Sequence, residues 1–303
     1  MDAVQPVLEV SHYRKAYGDK VVVPDLSLTV MSGDVFGYVG HNGAGKTTLI
    51  RSIVGAQSID GGSITVCGHD VATEPVACKS RIAYVPDNPD IYEFMTGMGY
   101  LNYMGDLFAV AADERAQRIS AMAERLGIAD ALGEKISGYS HGMRQKLVLI
   151  GAFMHEPELL ILDEPFVGLD PAAAHELKAM MAEAAERGAA VFFSSHVLEV
   201  VEKLCNKVAI LRAGELLACG NTDEVRGTKS LEDVFMSLIS EDAAAGEEEP
   251  EAAEAGVEGE PESEAAEKAA GDDAEVEPEL EDEDASEPEP APASDSDSES
   301  EGC

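Results

Sequence analysis

The chain has 303 residues, with 21 Lys and Arg against 59 Asp and Glu and a formal net charge of −38. Binding nucleic acid needs Lys and Arg to displace the counterions of phosphates, so this balance argues against such a partner. Five cysteines (Cys67, Cys78, Cys205, Cys219, Cys303) are odd in number and form no C-x-x-C pair, which fits reduced thiols better than a disulfide framework or a zinc site.

At the start, Met1-Asp2-Ala3-Val4-Gln5-Pro6 lacks the basic residues and apolar core of a signal peptide. No stretch approaches the roughly 20 apolar residues a membrane helix requires, so the chain is not expected to cross a bilayer alone. Short apolar runs then alternate with helical patterns, which predicts an α/β core. Val35-Phe36-Gly37-Tyr38-Val39 reads as a buried strand, followed by a glycine loop and a helix from about Lys46. Further strands are predicted at Ile82–Val85, Leu159–Leu162, Ala190–Ser194 and Lys207–Leu211. Between about Asp87 and His155 the strand signal vanishes. Ile119, Met122 and Leu126 sit at helical spacing there, which predicts a helical insertion over 87–155.

A helix after Asp170 is well marked, with Asp170 as N-cap, Pro171 at the first helical position and Gly188 past its end. A last amphipathic helix carries Leu231, Val234, Phe235, Leu238 and Ile239 on one face. From Glu241 to Cys303 there are 27 acidic residues, one basic residue (Lys268) and no aromatic. Such a segment buries too little apolar surface to offset the entropy of ordering it, and it reads as a disordered acidic tail over 241–303 behind a folded domain of 1–240.

Gly40-His41-Asn42-Gly43-Ala44-Gly45-Lys46-Thr47 fits the phosphate-binding pattern G-x-x-x-x-G-K-[ST], with a strand before it and a helix after it. Glycines let backbone N–H groups converge on a triphosphate at a helix N-terminus. Lys46 would reach the β- and γ-phosphates of ATP, Thr47 would hold Mg²⁺, and Thr48 would touch the α-phosphate. Leu159-Leu160-Ile161-Leu162-Asp163-Glu164 is an apolar strand ending in two carboxylates. It would deliver Asp163 to the Mg²⁺ and Glu164 to an attacking water, which suits phosphoryl transfer.

The order of these pieces resembles the ATP-binding subunits of ABC transporters over about residues 5–240, within them bacterial exporter-type subunits of the EcsA/CcmA kind. Tyr139-Ser140-His141-Gly142-Met143-Arg144-Gln145 falls where that family has its signature, Gly168-Leu169-Asp170 where it has the D-loop, and Ser194-Ser195-His196 where it has the switch histidine. Tyr17 matches the aromatic that stacks on adenine. The resemblance implies a P-loop, RecA-like α/β core with an antiparallel β portion and a helical subdomain. It also implies a head-to-tail dimer with a second nucleotide-binding domain, identical or different. Each site would then use the P-loop of one subunit and Ser140 and Gly142 of the other, with His196 contacting the γ-phosphate. A separate integral membrane permease would hold the subunit at the cytoplasmic face of the membrane.

Three positions depart from the family pattern. His141 replaces the first signature glycine, Met143 the signature glutamine, and Asp87 stands where a glutamine is usual, within reach of Mg²⁺ or its water. The run from Tyr92 to Phe108, rich in Met and aromatics, reads either as helical core or as part of a groove for the permease. A soluble ATPase of the same family not coupled to transport, or an ATP-gated binding protein, are the alternatives.

Overall fold

A computed structural model of the chain describes residues 6–245. The acidic tail predicted from 241 lies, beyond Ala245, outside the described residues. The chain runs through β1 (Pro6–Tyr17), β2 (Lys20–Met31), β3 (Val35–Gly40), α1 (Lys46–Ile53), β4 (Gly61–Val66), β5 (His69–Asp70), α2 (Pro75–Lys79) and β6 (Ile82–Val85). Three helices follow: α3 (Gly97–Leu107), α4 (Ala112–Leu126) and α5 (His141–Met154). The last part comprises β7 (Leu159–Asp163), α6 (Pro171–Glu186), β8 (Ala190–Ser195), α7 (Leu198–Leu204), β9 (Lys207–Arg212), β10 (Glu215–Asn221), α8 (Thr222–Arg226) and α9 (Leu231–Ala245).

Two sheets form among the described residues. The N-terminal one has the order β2-β1-β4-β5 and is antiparallel throughout. The second has the order β10-β9-β3-β8-β7-β6, parallel except for the antiparallel edge pair β9–β10. Its central strands are buried on both faces, which is why they read in sequence as continuous apolar runs. Alternate residues serve separate cores. Phe36, Tyr38, Ile161 and Phe192 pack with Leu49, Ile50 and Ile53 of α1 beneath the antiparallel sheet. Val35, Val39, Leu160, Leu162, Val191 and Phe193 turn the other way, toward α5 and α6.

The helical insertion is present as α3, α4 and α5. Ile119 and Leu126 are buried and Met122 packs against the same core. Arg125 ties α4 to α6, its Nε donating to Glu176 at 2.9 Å and its two Nη atoms to Glu183 at 2.9–3.0 Å. The α6 cap is as predicted: Asp170 Oδ1 accepts from Ala173 N at 2.9 Å, and Gly188, past the end, has φ 97°. On α9, Leu231 and Phe235 are buried, with Val234, Leu238 and Ile239 packed against the core. Gly37 is a close approach: a Cβ there would lie 2.4 Å from Val201 Cγ1, so glycine lets α7 lie directly on β3.

Candidate active site

The parallel strands deliver their C-terminal ends to one place, the end where open α/β sheets hold ligands. β3 ends at Gly40 and the chain turns through Gly43 (φ 83°) and Gly45 (φ 99°) into α1. Gly45 caps this helix without a side-chain acceptor, so the N–H groups of its first turn are open to an anion. A cavity of about 470 Å³ lies here, lined by the loop and first turn of α1 (His41, Asn42, Gly43, Gly45, Lys46, Thr47, Thr48) and by Val22, Asp87, Asp163 and Glu164. That size suits a small-molecule ligand.

Lys46 is 7% exposed. Its Nζ donates to Gly40 O at 2.6 Å and His41 O at 3.4 Å, and stands 3.9 Å from Glu164 Oε1. Burial lowers its pKa, opposed by the charges of Glu164 and Asp163. The ammonium thus sits inside its own loop, held by carbonyls that a phosphate could replace.

Asp163, at the end of β7, is 2% exposed. Thr47 Oγ1 donates to its Oδ2 at 3.1 Å and Ser194 Oγ to its Oδ1 at 2.5 Å. Burial raises the pKa of Asp163; the two hydrogen bonds work against this and the charges of Asp87 and Glu164 add to it. The Ser194 contact follows from register, since Asp163 and Ser194 are cross-strand partners of β7 and β8. Glu164 follows with φ 48°, an uncommon posture for a non-glycine residue. Its N–H donates to Ser194 Oγ at 3.0 Å, and its Oε2 lies 2.9 Å from His196 Nδ1.

Asp87, the residue in place of the usual glutamine, enters this cavity from the loop after β6. Thr47, Asp163 and Asp87 therefore share one wall, a hydroxyl and two carboxylates suited to a small hard cation whose remaining ligands are phosphate oxygens and water. Among the described residues there is no group of three or more His, Cys, Asp or Glu that could hold a metal without such help. Gly40 and Ala44 are buried behind the loop. Tyr17 lies outside the lining, half exposed, with its hydroxyl donating to Gln57 Oε1 at 2.6 Å. Gln57 Nε2 in turn donates to Thr48 O at 2.6 Å, so the tyrosine is linked to α1 by one side chain. Gln57 and Ser194 had no recognised role in the sequence, because both act through partners far along the chain.

Ser140 and Gly142 do not line this cavity. Ser140 caps α5, its Oγ accepting from Met143 N at 3.3 Å. A Cβ on Gly142 would lie 2.5 Å from Gly168 O, so the start of α5 rests against the loop that follows β7.

A glycine loop between a buried strand and a helix, a lysine folded into it, and two carboxylates on a neighbouring strand define a P-loop ATPase. A family model described as ABC transporter matches residues 23–167. The uncharacterized ABC transporter ATP-binding protein YdbJ of Bacillus subtilis (strain 168) is 39% identical over 215 residues, 71% of this chain and 69% of that protein. The ABC-type transporter ATP-binding protein EcsA of the same organism is 34% identical over 242 residues, 78% of this chain and 98% of EcsA. A solved structure of an ATP-binding subunit of an ABC transporter has a TM-score of 0.75 at 32% identity, covering 77% of this chain and 99% of that one. The chain belongs to the ABC transporter family as an ATP-binding subunit, and it is an ATPase. Among the described residues no helix is long and apolar enough to cross a membrane.

Proposed function

We propose that this subunit powers transport, in the export direction, through a separate integral membrane permease at the cytoplasmic face of the cell membrane, with Mg²⁺ as the metal of its ATP. The observation that carries the reading is the wall of Lys46, Thr47, Asp163 and Glu164 with His196 behind it. Thr47 and Asp163 would hold the Mg²⁺, directly or through water, with Asp87 beside them. The metal supplies neutralisation of charge on the phosphates. Lys46 leaves the carbonyls of Gly40 and His41 for the β- and γ-phosphates, and the N–H groups from Gly43 to Thr48 complete the cradle.

Glu164 is the residue that orients and polarises the attacking water, accepting its proton at a carboxylate oxygen. His196 holds the other side of that carboxylate and reaches the γ-phosphate. Tyr17 stacks on the adenine, a contact of about 1–3 kcal/mol for a base on an aromatic ring. Ser140 and Gly142, which stand away from this cavity, serve the cavity of a second nucleotide-binding domain, whether another copy or a different subunit. Binding of ATP then closes the pair, and hydrolysis reopens it.

Permease docking is supported by an apolar surface just beyond Asp87. Phe94 is 77% exposed, with Tyr92, Met98, Tyr103 and Leu107 also exposed, and Tyr92 contacts both Phe94 and Tyr103 ring to ring. Exposed aromatics grouped in this way mark protein contacts. The test is to purify Glu164→Gln from solubilised membranes with Mg-ATP. A stoichiometric polytopic membrane protein is expected, and ATP-driven uptake into inside-out vesicles would fix the direction. Recovery of ribosomes, DNA or nothing would overturn the transport reading.

A further inference from the structure

The C-terminal helix reaches into the glycine loop. Phe235 of α9 is 6% exposed and places its ring centroid 5.0 Å from that of His41, at an interplanar angle of 60°. His41 is the second residue of the phosphate loop, lines the cavity and lends its carbonyl to Lys46. A hydrophobic residue on a late helix therefore touches the loop at the point where it leaves β3.

Phe235 is not free to drift. Leu231, one turn before it, is fully buried, and its N–H donates to Glu202 Oε2 at 2.7 Å. Glu202 lies on α7, which begins two residues after His196. One turn beyond Phe235, Ile239 O accepts from Arg212 Nη1 at 2.9 Å. Arg212 ends β9, and Gly214, in the turn that follows, donates to Ala44 O of the loop at 3.0 Å. Fixed on both sides by elements that border the cavity, α9 holds an aromatic ring against an exposed histidine.

We propose that Phe235 is a positioning residue for nucleotide binding and acts through His41. Glycine-rich backbone has little preference for one posture of its own. The edge-on pair supplies one, holding His41 and its carbonyl where the loop receives phosphates. Preorganisation of this kind improves affinity by reducing what must be ordered on binding. Phe235 touches neither Glu164 nor His196, so its loss falls on binding and leaves the hydrolytic step alone. The inference rests on this cavity being the ATP site.

The experiment uses the full chain and calorimetric titration with Mg²⁺ and AMP-PNP, an ATP analogue that is not hydrolysed. Phe235→Leu and His41→Ala are each expected to raise Kd about 3- to 10-fold, the scale of one aromatic pair. The double variant should bind no worse than His41→Ala alone, and Phe235→Tyr should restore affinity. In steady-state ATP hydrolysis, KM rises by the same factor while kcat holds. If Phe235→Leu does not fold, exposed His41 carries the test: His41→Ala weakens binding and His41→Phe retains it. Wild-type affinity in either His41→Ala or a folded Phe235→Leu, or a double variant losing the product of both effects, would overturn the proposal. A Lys46→Ala variant that binds the analogue normally would instead refute the placement of the ATP site.

Discussion

Glu164 and His196 are joined side chain to side chain, Oε2 to Nδ1 at 2.9 Å, although they leave different strands of the sheet. The contact exists because Glu164 takes φ 48° just after β7, which turns its carboxylate toward the end of β8. Strain of this kind persists where surrounding structure holds it, here the Ser194 hydroxyl on the Glu164 N–H.

Replacing that carboxylate by an amide is therefore a selective test. Glu164→Gln keeps the shape of the side chain but removes its ability to accept a proton from water. Phosphate release should fall by on the order of 10²–10⁴ while ATP binding persists. Unchanged turnover would remove Glu164 from its assigned role.

Gln57 bridges Tyr17 and Thr48 O with two hydrogen bonds of 2.6 Å. If Tyr17 stacks on adenine, Gln57→Leu releases the ring from α1 and weakens ATP binding about fivefold, the equivalent of one hydrogen bond at roughly 1 kcal/mol. Tyr17→Phe should behave the same way, and Tyr17→Ala should lose more. Calorimetric Kd values for the three variants check the order. Equal affinities across all of them would mean that the base stacks elsewhere.

A pH effect on stability is expected from His155, at the end of α5, whose ring stacks on Phe108 at 3.7 Å and 9°. Burial lowers its pKa below the ordinary value, partly offset by a hydrogen bond with Gly151 O. Above about pH 6.5 the ring is neutral both folded and unfolded. As pH falls below that value the unfolded chain takes up a proton that the folded chain refuses, so stability falls until the lowered folded pKa is passed. Urea midpoints of wild type and His155→Gln from pH 8 to 5 should converge on acidification. A constant difference would show that His155 does not titrate on unfolding.

The parts of the molecule readable in advance are those whose signal is local. β3, β7, β8 and β9 announced themselves because both of their faces are buried, and the phosphate loop because its glycines and lysine are contiguous. β1 and β2 did not. β1 carries His12, Arg14 and Lys15 among its apolar residues, and register shifts at several points break its alternation with β2. The short helices α2, α7 and α8 have too few turns to show a period. Within the site, Ser194 against Asp163, Gln57 against Tyr17 and Phe235 against His41 depend on strand register or helix docking between segments from about 30 to nearly 200 positions apart. No local pattern encodes those distances.

The missing side chain at Gly142 has a mechanical meaning. With Gly168 O filling the space a Cβ would need, the start of α5 and the loop beyond β7 cannot shift independently; any tilt of one must drag the other. Glu164 and Gly168 sit four residues apart on that loop, so the surface offered outward at Ser140 and the groups facing inward at Glu164 are geared together. A partner pressing on the first would be felt at the second without any signal crossing the sheet.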